Sequence, residues 1–244
     1  MHRFIVREGL AVGARVRLSD EEAAHAFRVL RLRAGEEVEL GDGEGKLFSA
    51  ELTEVSREQV TAEVREELDG KESPVKITLY QGYPKADKLE LVAQKLTELG
   101  AACIVPVVME RSVAKPDPKD KGKRRERLER IAQEATKQCG RGLVPRVEEA
   151  ITWKQALARL DGHELVLMPW EDANDTHLSD VHRLHPDARD IAVIIGPEGG
   201  ISGAEAEQAR ERGAVWVTLG PRILRTETAT LTSAAVIMSL WGDL

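Results

Sequence analysis

From residue 75 onwards, short apolar runs alternate with longer segments of helical periodicity. The runs at 165–168 and 191–195 contain no polar residue, which is typical of parallel strands buried on both faces of a sheet. Apolar residues spaced three or four apart predict helices at 87–99 and 122–139. This alternation predicts an α/β fold, in which an open and mostly parallel sheet carries helices on both faces.

The start of the sequence follows a different pattern, in which short alternating runs are separated by close turns. Residues 37–40 and 46–55 are typical of strands, and the glycines between them indicate a turn. Ser19, followed three residues later by Glu22, forms a capping-box motif that predicts a short helix through Leu30. Several short strands with close turns predict a small β-barrel.

The charged and aperiodic segment 66–74 separates the two patterns and is interpreted as a linker. The predicted domains are residues 1–70 and 74–244. No apolar run approaches the roughly 20 residues that a membrane-spanning helix requires. The first ten residues lack the apolar stretch of a signal peptide. We therefore expect a cytoplasmic protein that has no membrane partner.

Charge is unevenly distributed along the chain, whose formal net charge is -7. Residues 1–70 hold 10 basic and 16 acidic side chains, whereas residues 111–146 hold 12 basic and 5 acidic ones. A basic block in an acidic protein indicates a localised surface for anions such as nucleic acid. A solvated helix face would give the same pattern, and charge alone does not separate the two interpretations.

Several motifs of common enzyme classes are missing from the sequence. It contains no GxGxxG after the first strand of the larger domain and no GxxxxGK[ST] loop, which argues against the usual nucleotide-binding folds. It contains neither the GxSxG motif of hydrolases nor HExxH. The two cysteines and six histidines show no zinc-site spacing, so we expect no metal.

Two loops follow apolar strands in the larger domain. The loop at 196–201 contains three glycines, which permit positive φ angles and a close approach of the backbone to a ligand. The loop at 219–228 combines a Gly-Pro turn, two arginines and a Thr-Glu-Thr helix start. Either loop alone could be only a tight connection. Because ligands bind beyond the carboxyl ends of parallel strands, two such loops at one sheet edge favour a ligand site.

These two loops resemble the signature segments of the SPOUT superfamily of knotted methyltransferases. Further segments narrow the resemblance to one family, ribosomal RNA small subunit methyltransferase E, in the right order along nearly the whole chain. The segments that carry it are His25 with 28–31 and Gly35, then 85–88, 94–100, 110–113, 134–141, 195–200 and 219–229.

The resemblance implies a PUA-like N-terminal β-barrel and a C-terminal α/β SPOUT domain with a trefoil knot. It implies a homodimer that uses S-adenosylmethionine to methylate N3 of a specific uridine in 16S ribosomal RNA of the small subunit. One departure concerns Ala86, where the family often has an aromatic residue. A stacking role at this position is therefore in doubt.

The resemblance also implies roles for individual residues. The expected cofactor-binding residues are Met168, Pro169, Trp170, Gly196, Glu198, Gly199, Gly200, Ile201, Leu219, Gly220, Ile223 and Leu224. The expected RNA-binding residues are His25, Arg28, Arg31, Lys85, Arg111, Arg141 and Arg222, which would mostly hold phosphates.

Chemistry suggests the catalytic candidates. Uridine N3 loses a proton before or during attack, and charge spreads onto the neighbouring carbonyl oxygens. Arg225 is the candidate cation that stabilises this charge, and Glu227 is a weaker candidate for the base or for positioning the substrate. Alternatively, Arg225 binds a phosphate and Glu227 favours a helix N-terminus.

Three other functions remain open at this point. The protein could be an RNA-binding ribosome assembly factor with the same fold but no turnover. It could be a different α/β enzyme that uses a nucleotide or an anionic metabolite in the same loops. It could also be a related methyltransferase that acts on another base or on transfer RNA.

Overall fold

The computed structural model describes residues 1–85, 87–116 and 121–244, so the departure expected at Ala86 lies outside the described residues. The chain forms two compact units, each built from two stretches of sequence. The first unit comprises Met1–Glu72 and Gln133–Val144, and the second comprises Ser73–Ala132 and Pro145–Leu244. The domains predicted from the sequence, 1–70 and 74–244, instead assign residues 133–144 to the C-terminal domain.

The first unit is a small sheet with one short helix. Its elements are β1 (His2–Ile5), β2 (Arg15–Arg17), α1 (Asp20–Ala24), β3 (Glu37–Gly41), β4 (Leu47–Val55) and β5 (Val60–Leu68). The strand order is β1-β3-β4-β5-β2, with β1 parallel to β3 and the other neighbours antiparallel. Alternate residues of the strands are buried, among them Phe4, Leu40 and Leu52. The expected β-rich PUA unit is confirmed.

Two boundaries in this unit differ from the prediction. β5 continues to Leu68, so the start of the expected linker at 66–74 is wrong, because these charged residues pair with β4. The capping residue Ser19 accepts a hydrogen bond from the amide of Glu22 (3.2 Å) as expected. The helix then changes at His25 into a wider π-helical segment that ends at Leu30. Such segments recur at functional sites.

The second unit contains a larger sheet and most of the helices. Its elements are β6 (Lys76–Gly82), α2 (Lys88–Glu98), β7 (Cys103–Val108), most of α3 (Lys121–Cys139), β8 (Arg146–Val147), β9 (Ile151–Thr152), α4 (Trp153–Leu160), β10 (Leu165–Pro169), α5 (Leu178–Leu184), β11 (Asp190–Ile195), α6 (Gly203–Glu211), β12 (Val215–Val217) and α7 (Thr226–Trp241).

The sheet of the second unit has seven strands in the order β12-β10-β11-β6-β7-β8, with β9 also on β7. Each neighbouring pair that the structure describes in it is parallel. The central strands β6, β10 and β11 are largely buried, as their apolar composition requires. The predicted parallel α/β fold is therefore confirmed, while the trefoil knot stays a prediction.

The topology brings the carboxyl ends of β10, β11 and β12 together, since β10 lies between the other two. The loop after β10 is fixed to the strand end of β12, because the amide of Trp170 donates to the carbonyl of Val217 (3.1 Å) and that of Thr218 donates to Thr176 (2.8 Å). After β11, Ser202 and Glu205 form the expected capping box at the start of α6. Three loops therefore meet at one edge of the sheet.

Within the described residues, no helix combines the length and the apolar character that crossing a lipid bilayer would require.

Candidate functional site

A cavity of about 750 Å³ opens at this edge of the sheet, between the loops that follow β10, β11 and β12. Its volume is in the range of small-molecule and cofactor sites. The expected cofactor-binding residues that line it are Pro169, Trp170, Gly196, Glu198, Gly199, Gly200, Ile201, Leu219, Gly220, Ile223 and Leu224. Met168 differs, because it is fully buried within β10 and packs in the core beneath the cavity.

The loop after β11 needs its glycines for close packing as well as for conformation. A Cβ atom on Gly199 would lie 2.7 Å from the carbonyl oxygen of Arg111, and one on Gly196 would lie 2.9 Å from Ile201. Gly200 has a φ of +75°, in the left-handed region that other residues rarely adopt. The backbone of this loop is therefore tightly fixed at the cavity wall.

An aromatic pair forms another part of the wall. Trp170 lines the cavity, and its ring meets that of Trp216 edge-on at 4.6 Å between centroids. Trp216 is itself held by a hydrogen bond from its indole nitrogen to the carbonyl of Ala206 (3.2 Å). The indole nitrogen of Trp170 is buried and has no hydrogen-bond partner among the described residues. A bound ligand could satisfy this donor.

A buried polar network lies beneath the cavity and joins its loops to the sheet. Gln81 of β6 donates to the hydroxyl of Thr226 (2.9 Å), and Thr226 donates to the carbonyl of Gly196 (2.6 Å). Thr230 donates to the side-chain oxygen of Gln81 (2.6 Å). Gln81 and Thr230 are almost fully buried. The network therefore fixes the first turn of α7 relative to the loop after β11.

Two carboxylates and one lysine lie together on one side of the site. The ammonium group of Lys88, which lines the cavity, is 3.3 Å from Glu198 and 3.0 Å from Glu227. Burial alone would raise the pKa of the Glu227 carboxyl, but backbone hydrogen bonding and Lys88 hold it below its usual range. The same balance lowers the pKa of Glu198, and hydrogen bonding to Glu227 raises the pKa of Lys88. All three groups are charged at neutral pH.

Arg225 is another charged residue of the cavity. It occupies the N-cap position of α7 without a side-chain capping hydrogen bond within the described ranges, and it lines the cavity as an exposed residue. Among the described residues, no carboxylate lies within the 4.0 Å of an ion pair with its guanidinium group. α7 begins at Thr226, two residues before the predicted start at Thr228. Arg225 is thus a cation positioned for an anionic ligand or for charge that develops in a reaction.

The structure distributes the expected RNA-binding residues over both units. Lys85 and Arg111 are exposed in the second unit, and Arg222 lines the cavity. His25 and Arg28 lie on the π-helical segment of the first unit, and Arg31 follows it in a left-handed conformation with a φ of 54°. The side chains of Arg28 and Arg31 are exposed, and His25 is half-buried.

Arg141 is a correction to this set. Its side chain is 7% exposed and its guanidinium group forms a hydrogen-bonded pair with Glu72 (2.7 Å). Glu72 also accepts hydrogen bonds from the amides of Gly142 and Leu143. The charge of Arg141 is therefore used to hold the first unit together, and we withdraw it as an RNA contact.

The basic block at 111–146 is less basic in effect than its composition indicates. In the second unit, Arg127 pairs with Glu90 at 2.8 Å. In the first unit, Lys137 pairs with Glu22 at 3.1 Å. Residues 117–120 of the block lie outside the described residues. Part of the positive charge is thus offset by carboxylates of the protein.

Several residues of the site were missed from the sequence. Lys88 lies within the segment 85–88 that carries the family resemblance, but nothing in that segment indicates a role for it. Gln81 is marked in the sequence as a polar residue in a strand that is otherwise largely apolar. The cavity is also lined by Glu171, His177 and Thr218, and no motif in the sequence around them predicts this position. Across the part of the chain that the structure describes, no group of three or more potential ligands could hold a metal ion.

Comparison with known families gives two matches. Residues 71–238 match a model described as an RNA methyltransferase domain. Residues 18–65 match a model described as an RNA methyltransferase PUA domain.

Individual relatives cover nearly the whole chain. Ribosomal RNA small subunit methyltransferase E of Bacillus subtilis is 36% identical over 90% of this chain and 88% of its own length. The crystal structure of ribosomal RNA small subunit methyltransferase E from Neisseria gonorrhoeae bound to S-adenosylmethionine is 38% identical, covers 100% of this chain and 99% of its own, and has a TM-score of 0.90. A putative methyltransferase from Legionella pneumophila with bound S-adenosylmethionine is 34% identical, covers 99% and 98%, and has a TM-score of 0.82.

Proposed function

The chain belongs to the family of ribosomal RNA small subunit methyltransferase E, and we propose that this S-adenosylmethionine-dependent ribosomal RNA methyltransferase modifies N3 of one uridine in 16S ribosomal RNA. The observation that carries the proposal is the cavity at the carboxyl edge of β10, β11 and β12. Arg225 and Lys88 line this cavity, and the ionised carboxylate of Glu227, which is not part of the lining, lies 3.0 Å from the ammonium group of Lys88. A carboxylate can accept the proton of a ring nitrogen, and a cation can stabilise the negative charge that is left on the ring.

The residues of the cavity fit the cofactor. A Cβ atom on Gly199 would clash with the backbone of Arg111, and Gly200 has a positive φ, so this loop requires glycines, whose backbone can approach a ligand closely. The buried indole nitrogen of Trp170 offers a hydrogen-bond donor that is not used within the described protein. The loop at 219–224 supplies apolar side chains and backbone polar groups that suit adenine. When bound, S-adenosylmethionine supplies an electrophilic methyl group on a sulfonium centre.

The remaining chemistry falls to the protein. Glu227 is ionised at neutral pH and is proposed to accept the N3 proton of the target uridine. Arg225 is proposed to stabilise the negative charge that then spreads over the neighbouring carbonyl oxygens. Both residues lie at the start of α7, so the network through Gln81 holds them in place relative to the loop after β11.

The proposed RNA contacts are His25, Arg28 and Arg31 in the first unit, together with Lys85, Arg111 and Arg222 in the second. The proposed substrate is the small ribosomal subunit, which would place the protein in the cytoplasm. The proposed assembly is a homodimer. It is supported by α7, where Thr232, Ala235 and Val236 form a half-buried face of small side chains opposite the fully buried face.

The test is transfer of a labelled methyl group from S-adenosylmethionine to small subunits from an unmethylated strain, followed by nucleoside analysis. We expect label in 3-methyluridine. Label in another nucleoside would move the proposal to another base. Cofactor binding without any transfer to subunits or to transfer RNA would favour the assembly-factor function instead.

A further inference from the structure

The position of Lys88 is unusual for a lysine. It is the first residue of α2, where the positive end of the helix dipole disfavours a cation. The side chain of Asp87, at the N-cap position, makes no capping hydrogen bond within the described part of the chain. Helix stability therefore does not explain a lysine at this position. The explanation must lie in the residues that Lys88 contacts outside the helix.

Those partners come from two separate parts of the site. Glu198 belongs to the loop after β11 and Glu227 to the first turn of α7, and each lies within ion-pair distance of the same ammonium group. The amide of Lys85 also donates to Glu198 (3.0 Å), so Glu198 has a second anchor. For Glu227, Lys88 is the cation in contact, since Arg225 acts on it only at longer range. The side chain of Glu227 is 17% exposed, so water screens this pair only partly.

We propose that Lys88 is a positioning residue for methyl transfer, holding Glu227 as the ionised acceptor of the uridine N3 proton and serving as the counter-ion after that proton has moved. The inference rests on the proposed function. The N3–H bond breaks with its electron pair left on the uracil ring, and the proton forms an O–H bond with Glu227. The ring nitrogen then bonds to the methyl carbon, whose bond to sulfur breaks with the pair kept by sulfur.

The proton transfer moves a negative charge from Glu227 to the uracil ring and creates no new charge. Before the transfer the ammonium group of Lys88 faces the Glu227 carboxylate, and afterwards Glu227 is neutral while the uracil ring carries the negative charge. The negative charge that Glu227 loses is thus carried by the uracil ring until the methyl group is transferred and the ring becomes neutral, while Glu198 stays a carboxylate beside Lys88. The lowered pKa of Glu227 and the raised pKa of Lys88 agree with this arrangement.

The experiment compares single-turnover methylation of unmethylated small subunits by the wild type, Lys88→Met, Lys88→Arg, Glu227→Gln and the double variant Lys88→Met/Glu227→Gln. Lys95→Met is the matched control, because Lys95 lies on the same helix, pairs with Glu98 and is not part of the cavity lining. We expect Lys88→Met to be about tenfold slower near neutral pH, which corresponds to one lost ion-pair contact. We expect Lys88→Arg to keep most of the rate and Lys95→Met to match the wild type.

Two readouts separate positioning from mere structural support. The deficits of Lys88→Met and Glu227→Gln should shrink together as the pH is raised, because uridine N3 then loses its proton to solvent more readily. The double variant should be no slower than the slower single variant, because both substitutions impair the same proton-transfer step. A deficit that is equal at every pH, or rate losses that multiply in the double variant, would overturn the proposal.

A third measurement does not depend on the RNA substrate. In carbon-13 glutamate-labelled protein, Lys88→Met should raise the pKa of the Glu227 carboxyl, whereas Lys95→Met should leave it unchanged. An unmoved pKa of Glu227 in Lys88→Met would also overturn the proposal. If the wild type forms no 3-methyluridine, the proposed function fails instead, and this titration still decides whether Lys88 holds Glu227 ionised.

Discussion

Arg225 is the residue that the reaction should need most directly. Its guanidinium group is exposed to the cavity and has no carboxylate partner among the described residues. We expect Arg225→Ala to lower the single-turnover rate by about 10²-fold at saturating RNA and cofactor, as loss of a donor to developing charge typically does. Arg212→Ala is the matched control, because Arg212 pairs with Asp161 outside the cavity. An unchanged rate in Arg225→Ala would remove its catalytic role.

We expect substitution of Gly200 to impair the site although this residue carries no functional side chain. A Cβ atom there would lie 3.1 Å from the carboxylate of Glu171, and its φ of +75° costs other residues about 1–2 kcal/mol. We expect Gly200→Ala to weaken S-adenosylmethionine binding by roughly tenfold in calorimetric titration. Gly203→Ala should bind normally, because Gly203 has open space around it and no positive φ. Equal affinities for the two variants would contradict the assigned role of this loop.

At single residues, sequence reasoning worked where chemistry and local pattern coincide. The glycines of 196–201 predict a loop from the sequence alone. The structure shows that close contacts and a positive φ require them. Arg141 was misjudged because a basic residue in a basic stretch looks like an anion contact, while its partner Glu72 lies far away in the sequence. Lys88 was missed for the same reason, since both of its partners are more than a hundred residues distant.

Among the elements, α7 depends on its attachment to β6 through Gln81. Replacing Gln81 by Leu leaves the buried hydroxyls of Thr226 and Thr230 without one partner each. We expect Gln81→Leu to lower the free energy of unfolding by about 1–3 kcal/mol, measured by urea denaturation. Ser239→Ala, at an exposed position on the same helix, should change it very little. Similar stabilities for the two variants would show that the network does not hold α7.

Long elements were predictable and short ones were not. β10 and β11 stand out because continuous apolar runs are buried on both faces. β8 and β9 have two residues each and exist only because β7 offers them an edge, so no local pattern marks them. The change from α1 to the π-helical segment is likewise set by packing, since Ala26 is fully buried while Phe27 and Val29 are exposed.

For the molecule as a whole, the proposed RNA contacts predict affinity that falls with salt, because each phosphate contact releases counterions. Arg28→Ala and Arg31→Ala should each reduce the slope of log affinity against log salt by about one. Arg65→Ala is the control, because Glu51 and Glu63 already neutralise this arginine in the first unit. Filter binding across a salt series measures the slopes. A slope that stays the same in all three variants would exclude this segment as an RNA contact.

The first unit includes residues 133–144, and this has a consequence for the time course of synthesis. A growing chain leaves the ribosome from its N-terminus, and units fold as their residues emerge. The first unit cannot form the ion pair between Glu72 and Arg141, or the β-bridge between Gly43 and Leu143, until residues 141 and 143 have been synthesised. At that point the residues of β6, α2 and β7 have been synthesised, whereas those of β10, β11 and β12 have not. A chain halted at that stage would carry the proposed RNA-contacting segment but no place for a methyl donor.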